Sequence, residues 1–267
     1  MSISKRYDYM KRLISILLAS VVMVAMEASA QEIVAHRGLH TDKSTAENSL
    51  AALRAAQAAG AYIVECDVNM SSDGELVVVH GPWLGKKDDP DRLNIQRTDI
   101  ATLRSKRLPN GEVIPTLEEF LAVVAENPAT RLFIEVKDHA TPQIETEVAR
   151  KVVALVKQYK LQDVVTYMAF RQHLCNEFVR LAPSGAMVFY LGGNLTPEYV
   201  KGLGYSGINY AVETLKRLPR WISEAQKLDL KVGVWTINCA EEAAWAVKSG
   251  VDYITTDKPA AIERALQ

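Results

Sequence analysis

Short apolar runs alternate with amphipathic stretches along most of the chain. The runs are about five residues long and suit buried strands, while the stretches between them repeat apolar positions with a helical period. This alternation is typical of βα units, in which helices join and cover the parallel strands of one sheet. The eight predicted strands are Ile33–His36, Tyr62–Asn69, Leu132–Lys137, Val164–Phe170, Ala186–Leu191, Gly207–Ala211, Val232–Asn238 and Val251–Thr256.

A predicted helix follows each of these strands. Thr116 with Glu119 three residues later is a capping-box pattern for a helix start. Gly60 and Gly250 suit helix ends. Eight such units predict an α/β protein with the (β/α)8 TIM barrel fold. The eight predicted helices are Glu47–Ala59, Leu117–Glu126, Ile144–Tyr159, Gln172–Leu181, Pro197–Leu203, Pro219–Lys227, Ala240–Lys248 and Ala260–Leu266.

One further apolar run, Leu76–His80, does not fit the parallel pattern. It follows the second strand after a turn too short to join parallel strands, so it predicts an antiparallel hairpin. The loop length then decides which way His80 points. We expect a two-residue or a four-residue loop, which sets His80 opposite Asp67 or Glu65. A three-residue loop would set it opposite Cys66 and turn it away from those carboxylates.

The hairpin insertion, about residues 70–80, is followed by a long loop over residues 82–113. This loop is charged at its start and shows no periodic apolar pattern, so we expect it to be irregular. Long connections above a barrel often cover a substrate. The sequence is compatible both with a substrate-covering element and with a solvated loop.

The first thirty residues differ from the rest. Four basic residues precede the apolar run Leu13–Met26, and the small residues 28–30 follow it, as at a signal-peptidase site. The run is shorter than the ~20 residues that span a bilayer, which argues against a membrane anchor. We therefore predict that residues 1–30 are a cleaved signal peptide and that residues 31–267 form a single barrel domain. The mature protein is expected in the periplasm, without stable membrane insertion.

Composition and charge narrow the possible partners. Of the 267 residues, 48% are apolar and 24% are charged, which excludes disorder as the main state. The formal net charge is −1 and no long basic run occurs, which argues against nucleic acid as a partner. The three cysteines, Cys66, Cys175 and Cys239, do not form a disulfide framework.

Acidic residues occur inside two neighbouring predicted strands. Glu65 and Asp67 are two residues apart, as are Glu135 and Lys137, so each pair shares one face of its strand. Buried carboxylates need compensation, and an all-carboxylate set suits one hard divalent cation, Ca²⁺ or Mg²⁺, better than Zn²⁺. The alternative is a set of salt bridges to Arg37 and Lys137, two cations that would equally suit a phosphate.

His36 and His80 are the natural proton carriers. His36 ends the first predicted strand and His80 ends the hairpin. An imidazole titrates near neutrality and can act as a base in one step and an acid in another. Cleavage of a phosphate ester needs both roles.

Eight short segments carry further information through their order along the chain. They are Ala35–Gly38, Glu47–Ser49, Glu65–Val68, Asp73–His80, Ile114–Glu119, Glu135–Lys137, Val234–Asn238 and Thr256–Pro259. This is the order seen in glycerophosphodiester phosphodiesterases, and the chain resembles this family over nearly all of residues 31–267.

The resemblance implies a reaction and a role for each matching residue. The reaction is metal-dependent hydrolysis of a small-molecule glycerophosphodiester to glycerol 3-phosphate and an alcohol. The implied roles are acid–base catalysis by His36 and His80, binding of the cation by Glu65, Asp67 and Glu135, phosphate contact by Arg37 and Lys137, and contact with the glycerol side by Trp235.

One position departs from the family pattern. Gly81 stands where the family usually has Asp, and another carboxylate such as Asp88 could take the place of that Asp. Glycine at this position is common in phosphoinositide-cleaving phospholipases of similar barrel architecture. Phospholipase-C-like cleavage of phosphoinositides or lysophospholipids is therefore the alternative activity. A non-catalytic envelope protein that binds lipid headgroups is the alternative outside the enzymes.

Overall fold

The computed structural model describes residues 31–60, 63–85, 87–127 and 129–267. The predicted signal peptide, residues 1–30, lies outside the described residues. Over the part of the chain that is described, no helix is long and apolar enough to cross a membrane.

Eight parallel strands close into a barrel, as predicted. The order around the barrel is β1, β11, β10, β9, β8, β7, β6 and β2, and β1 also pairs with β2 to close it. The strands are β1 (Glu32–Ala35), β2 (Ile63–Met70), β3 (Leu76–Val78), β4 (Trp83–Leu84), β5 (Leu93–Asn94), β6 (Arg131–Val136), β7 (Val165–Ala169), β8 (Met187–Tyr190), β9 (Gly207–Ala211), β10 (Lys231–Trp235) and β11 (Tyr253–Thr256).

All eight predicted helices are present, with ends shifted by a few residues. The capping box of Thr116 and Glu119 forms, and Gly250 ends its helix at a φ of +76°. The helices are α1 (Leu50–Ala58), α2 (Ile100–Ser105), α3 (Leu117–Glu126), α4 (Pro142–Gln158), α5 (Gln172–Leu181), α6 (Pro197–Gly202), α7 (Val212–Arg217), α8 (Arg220–Lys227), α9 (Ala240–Ser249) and α10 (Pro259–Leu266).

The hairpin forms, but its predicted register is wrong. Val68 lies opposite Val78 and Met70 opposite Leu76, and the Ser71 amide donates to the Glu75 carbonyl at 2.8 Å. Three residues therefore remain in the loop. The Ser71 hydroxyl accepts from the Glu75 amide at 2.9 Å, which closes this short loop locally. Because β3 ends at Val78, the register does not set the direction of the residues that follow it.

The segment 82–113 is more ordered than the sequence predicts. Strands β4 and β5 pair antiparallel, a single turn of 3₁₀ helix covers Ile95–Arg97, and α2 follows. Buried apolar side chains of this segment, Ile95 and Leu103, cluster with Val77 of β3. Scattered apolar residues therefore anchor the segment against the hairpin without a periodic pattern.

Aromatic side chains fill the barrel interior below the polar strand ends. Phe133, Phe189 and Tyr253 pack with ring centroids 5.3–5.8 Å apart. Phe133 precedes Glu135 by two residues on β6, so both side chains point into the barrel, with the aromatic layer beneath the acidic one. The packed layer supports the polar groups at the carboxyl ends of the strands.

Candidate active site

Three carboxylates from two adjacent strands meet at the top of the barrel. Asp67 of β2 lies directly opposite Glu135 of β6, and Glu65 precedes Asp67 on the same face. One oxygen atom from each residue lies within 4.8 Å of the others, and all three residues are buried. The register of two parallel strands therefore builds a compact acidic cluster.

Burial makes this cluster electrostatically unfavourable. Burial raises the pKa of Glu65 well above its usual range, and the neighbouring carboxylates Asp67 and Glu135 add to that rise. Burial also raises the pKa of Glu135 to about 7, although Lys137 opposes the shift. Burial acts in the same direction on Asp67, but Lys137 and Arg37 outweigh it and the pKa of Asp67 is lowered.

Arg37 and Lys137 form salt bridges with the cluster. Arg37 Nε lies 3.1 Å from Asp67 Oδ2 and Lys137 Nζ lies 2.6 Å from Asp67 Oδ1, while Lys137 also contacts Glu135. When all three carboxylates are ionised, the two basic side chains leave one negative charge uncompensated. Glu65 Oε1 is buried without a hydrogen-bond partner among the described residues. The donor set therefore fits a hard divalent cation, in addition to the salt bridges.

The segment after β1 adds further contacts, from the backbone amide of Arg37 and from the side chains of Glu47 and Asn48. The Arg37 amide donates to Glu65 Oε2 at 2.9 Å. The Asn48 side chain donates to Asp67 Oδ2 at 2.8 Å and accepts from the Asp67 amide at 3.0 Å. Glu47 forms an ion pair with the Arg37 side chain. The family-like segment Glu47–Ser49 was the available signal, but it did not reveal that Asn48 holds the central carboxylate.

His36 is oriented by a carboxylate from the other end of the chain. His36 Nδ1 lies 2.6 Å from Asp257 Oδ1, and His36 Nε2 lies 3.9 Å from Glu65 Oε2. Asp257 also accepts from Asn238 Nδ2 at 2.6 Å, and His40 Nε2 lies 3.7 Å away. The hydrogen bond from His36, the nearby His40 ring and the bond from Asn238 hold the pKa of Asp257 far below its usual range. The segment Thr256–Pro259 pointed to the family, but gave no role for Asp257.

His80 is exposed and is held through its backbone. The Asn69 side-chain amide donates to the carbonyls of Val79 at 2.8 Å and His80 at 3.4 Å. Gln96 in turn donates to Asn69 Oδ1 at 3.0 Å. Gly81 has a φ of +65°, and a Cβ there would lie 2.9 Å from Asn69 Nδ2. Asn69 thus occupies the space that a side chain at residue 81 would need.

The remaining histidine near the cluster, His139, is a buried structural link. His139 Nδ1 donates to the Lys137 carbonyl at 2.7 Å, and His139 Nε2 accepts from the Met70 amide at 3.2 Å. These two bonds assign the neutral tautomer. Burial lowers the pKa of His139, which agrees with a neutral ring. The ring therefore ties the end of β2 to the end of β6 beside the acidic cluster.

A pocket of about 120 Å³ lies over the cluster. Seven of the eight predicted site residues line it, and Asp67 lies behind them with 1% of its surface exposed. Trp235 forms part of an apolar wall, where its ring meets Phe170 edge-on at 5.7 Å and its Nε1 donates to the Asn209 carbonyl at 2.8 Å. Met168 and Leu191 extend that wall. The pocket therefore has one charged side and one apolar side.

This arrangement defines the protein as an enzyme of the (β/α)8 barrel class. Active sites of such barrels lie at the carboxyl ends of the strands, where this pocket lies. Two imidazoles, two basic side chains and an acidic cluster that fits a cation can together bind an anion and transfer protons.

Comparison with known proteins assigns the family. The model of the glycerophosphoryl diester phosphodiesterase family matches residues 36–261, and the chain belongs to this family. A crystal structure of a glycerophosphodiester phosphodiesterase from Parabacteroides distasonis is 35% identical, covers 88% of this chain and 96% of its own, and gives a TM-score of 0.83.

Two further relatives agree with this assignment. A glycerophosphodiester phosphodiesterase of Caldanaerobacter subterraneus subsp. tengcongensis is 25% identical over 236 residues, or 85% of this chain and 94% of the relative. An Oleispira antarctica phosphodiesterase, solved in complex with the product sn-glycerol-3-phosphate, is 25% identical with a TM-score of 0.75. That structure covers 89% of this chain and 96% of its own.

Proposed function

We propose that the protein hydrolyses glycerophosphodiesters to glycerol 3-phosphate and an alcohol. The observation that carries the proposal is the convergence of two imidazoles, two basic side chains and a buried acidic cluster on one pocket. Family membership supports the same activity. The product bound to the Oleispira antarctica relative supports glycerol 3-phosphate as the phosphate-bearing product.

Glu65, Asp67 and Glu135 would hold one divalent cation, Ca²⁺ or Mg²⁺. The unpartnered Glu65 Oε1 and the surplus negative charge support this assignment. When bound, such a cation draws charge from the phosphoryl oxygens and so favours attack at phosphorus. Arg37 and Lys137 face the same pocket and would bind the phosphate, while Trp235 would contact the glycerol.

His36 would act as the base. The Asp257 carboxylate holds the His36 ring at Nδ1 and stabilises the imidazolium that forms when Nε2 takes a proton. That proton comes from the attacking hydroxyl, which is either that of water or the 2-hydroxyl of the glycerol. Attack forms a P–O bond to the hydroxyl oxygen and breaks the P–O bond to the alcohol.

His80 would donate a proton to the departing alcohol. Its ring lines the pocket and is open to solvent, so it can regain a proton from water after each turnover. His36 takes one proton from the attacking hydroxyl and His80 gives one to the departing alcohol, and His36 returns its proton to water, so the proton balance closes. If the glycerol hydroxyl attacks, water opens the resulting cyclic phosphate in a second step.

The same proposal includes a location. The sequence pattern of residues 1–30 supports export across the inner membrane to the periplasm, with residues 31–267 as the catalytic domain. Mass spectrometry of the protein purified from a periplasmic extract tests this. A mature N-terminus near residue 31 is expected, and retention of residues 1–30 on the exported protein would contradict cleavage.

A product assay tests the activity. Purified protein is incubated with glycerophosphocholine and either Ca²⁺ or Mg²⁺, and glycerol 3-phosphate is measured by its oxidation with a coupled dehydrogenase. We expect product with at least one ion and its loss on chelation. Parallel reactions with lysophospholipids and phosphoinositides test the alternative activity. Absence of glycerol 3-phosphate with both ions would overturn the proposal.

Ion binding is tested separately by thermal unfolding. The ion should raise the unfolding midpoint because it binds the folded protein and relieves repulsion in the acidic cluster. Glu65→Gln should reduce this rise, whereas the exposed loop variant Asp91→Asn should keep it. Equal rises in the two variants would contradict the assigned ligands.

A further inference from the structure

A second cavity of about 290 Å³ adjoins the pocket. The two cavities share His80, Glu135, Lys137 and Phe170. His36 and Trp235 line the first cavity. The second is lined by Pro82 and Gln96 of the segment 82–113, called the insertion below, and by the rim residue Asp138. The two spaces therefore meet beside the acidic cluster and extend from it in different directions.

A phosphodiester has two ester substituents, and each needs its own space. With phosphorus beside Glu135 and Lys137, where the cavities meet, one substituent can enter each cavity. The first cavity contains Trp235 and its apolar neighbours, and this is the side on which the glycerol is proposed to lie. The second cavity is then left for the alcohol, whose departing oxygen would lie near the shared His80.

Charge at the rim indicates which alcohol suits the second cavity. Asp138 is half-exposed, and its Oδ2 lies 3.5 Å from Arg171 Nε. The same Nε lies 3.4 Å from Glu145 Oε1, so one guanidinium is shared by two carboxylates. One negative charge therefore remains uncompensated within this group of three side chains.

Apart from His80, which carries the proton for the departing alcohol, the other polar groups that face the cavity are neutral or already paired. The Gln96 amide donates to the Asp138 carbonyl at 2.8 Å and to Asn69 Oδ1 at 3.0 Å. Lys137 is paired with Asp67 and Glu135. Phe170 is 37% exposed, so its ring is open to a ligand, and aromatic faces attract cations.

We propose that the second cavity binds the alcohol moiety of the diester and that Asp138 makes it favour alcohols that carry an ammonium group. This inference rests on the proposed phosphodiesterase activity and adds a substrate preference to it. Asp138 acts here as a specificity-determining residue that contacts the departing part of the substrate. Neutral polyol alcohols would bind with the same phosphate contacts but without this charge interaction.

The test compares two diesters that differ in the charge of the alcohol. The value of kcat/KM is measured for glycerophosphoethanolamine and for glycerophosphoglycerol, with the unmodified protein, Asp138→Asn and Asp138→Lys. An exposed ion pair changes binding by about 2- to 5-fold, so the preference for the ammonium diester should fall by that factor in Asp138→Asn. It should fall further in Asp138→Lys. Raising the ionic strength should reduce the preference of the unmodified protein.

Asp91→Asn is the matched control. It removes one carboxylate from the exposed part of the insertion, and it should keep the preference of the unmodified protein. A preference that is the same in Asp138→Asn and the unmodified protein would overturn the assignment of Asp138. A loss of equal size in Asp91→Asn would attribute the preference to net charge and overturn it as well.

A binding measurement separates this inference from the proposed activity. If neither diester is hydrolysed, the proposed activity fails, and calorimetric titration of the two diesters in the presence of Ca²⁺ then tests the cavity. Tighter binding of glycerophosphoethanolamine that is lost in Asp138→Asn would support the subsite in a binding protein. Equal binding of the two diesters, or no binding of either, would overturn it.

Discussion

His36 and His80 line the same pocket but are held in different ways. The His36 ring is bonded at Nδ1 to Asp257, and only 18% of its side-chain surface is exposed. His80 is exposed, and the bonds from Asn69 reach its carbonyl and that of Val79. One imidazole is thus oriented directly and the other through the course of its backbone.

The difference follows from where each histidine lies in the fold. His36 directly follows β1, whose neighbour β11 ends one residue before Asp257, so the barrel itself brings the pair together. His80 lies between the hairpin and the insertion, where no barrel strand fixes it. A change at Asp257 should therefore affect the ring of His36 itself, whereas a change at Asn69 should act on His80 through the peptide backbone.

The largest expected effect is the loss of either ring. His36→Ala and His80→Ala should each lower kcat by about 10²- to 10⁴-fold, because each removes a proton-transfer group. Steady-state kinetics with glycerophosphocholine measures this, and His173→Ala on α5 is a control histidine outside the pocket. Unchanged turnover in one variant would show that this histidine is not a proton-transfer group in the mechanism.

Asp257→Asn should have the next largest effect. It keeps the shape of the side chain but loses the charge that orients His36, and a hydrogen bond to a charged group corresponds to about 10- to 100-fold in kcat. A double-mutant cycle measures the coupling. Asp257→Asn should cost little more in the His36→Ala background but its full factor in the His80→Ala background. Equal costs in both would contradict the direct link to His36.

Asn69→Ala should lower kcat by a smaller factor, about 2- to 10-fold, the range for neutral hydrogen bonds. Asn69→Asp should behave similarly, because a carboxylate cannot donate to the two carbonyls. Both effects should disappear in the His80→Ala background, as read from kcat and KM measured separately. A loss that persists there, with a lowered unfolding midpoint, would indicate a purely structural role for Asn69.

The smallest expected effect is a difference between imidazole pKa values in the ion-free protein. Interaction with Asp257 raises the pKa of His40, whereas partial burial of the ring of His80 where it lines the pocket, together with Lys137 and Arg37, lowers the pKa of His80. NMR titration should place His40 above and His80 below the usual 6.5. Asp257→Asn should lower the His40 value and leave that of His80 in place. A raised pKa for His80 would contradict this description of its surroundings.

The same pKa shifts set the sign of the pH dependence of folding stability. The folded protein holds the His40 proton more tightly than the unfolded chain does, so protonated His40 stabilises the folded state. This stabilisation is fully present below the pKa of His40 in the unfolded chain and is lost as the pH rises through the higher pKa of the folded state. His80 acts in the opposite direction, since its lowered pKa disfavours the protonated folded state.

Much of the barrel could be predicted because its pattern is local. Apolar runs and helix caps, such as Thr116 with Glu119, depend on residues close together in the sequence and can be recognised there. The acidic cluster followed from the same rule, since residues two apart share a strand face. The hairpin register could not be predicted, because it depends on how the Ser71 hydroxyl closes the loop.

The surroundings of the two pocket histidines depend on contacts between distant parts of the chain. Asp257 meets His36 across 221 positions of sequence, and Gln96 meets Asn69 across 27. Helix α7 was missed because it directly follows β9 and lasts only six residues. Residue types at these positions gave no signal of their partners, since pairing there is decided by the closure of the barrel and the path of the insertion.

The insertion after the hairpin supplies Pro82 and Gln96 to the second cavity, while the acidic cluster lies on β2 and β6. The proposed catalytic groups and part of the lining of the second cavity thus come from separate pieces of chain, with Asp138 on the loop that follows β6. Randomising the exposed positions of residues 82–85 and 87–94 should therefore alter how an alcohol fits this cavity while leaving the eight barrel strands unchanged. Substitutions in this loop can in this way reshape the second cavity without altering the acidic cluster.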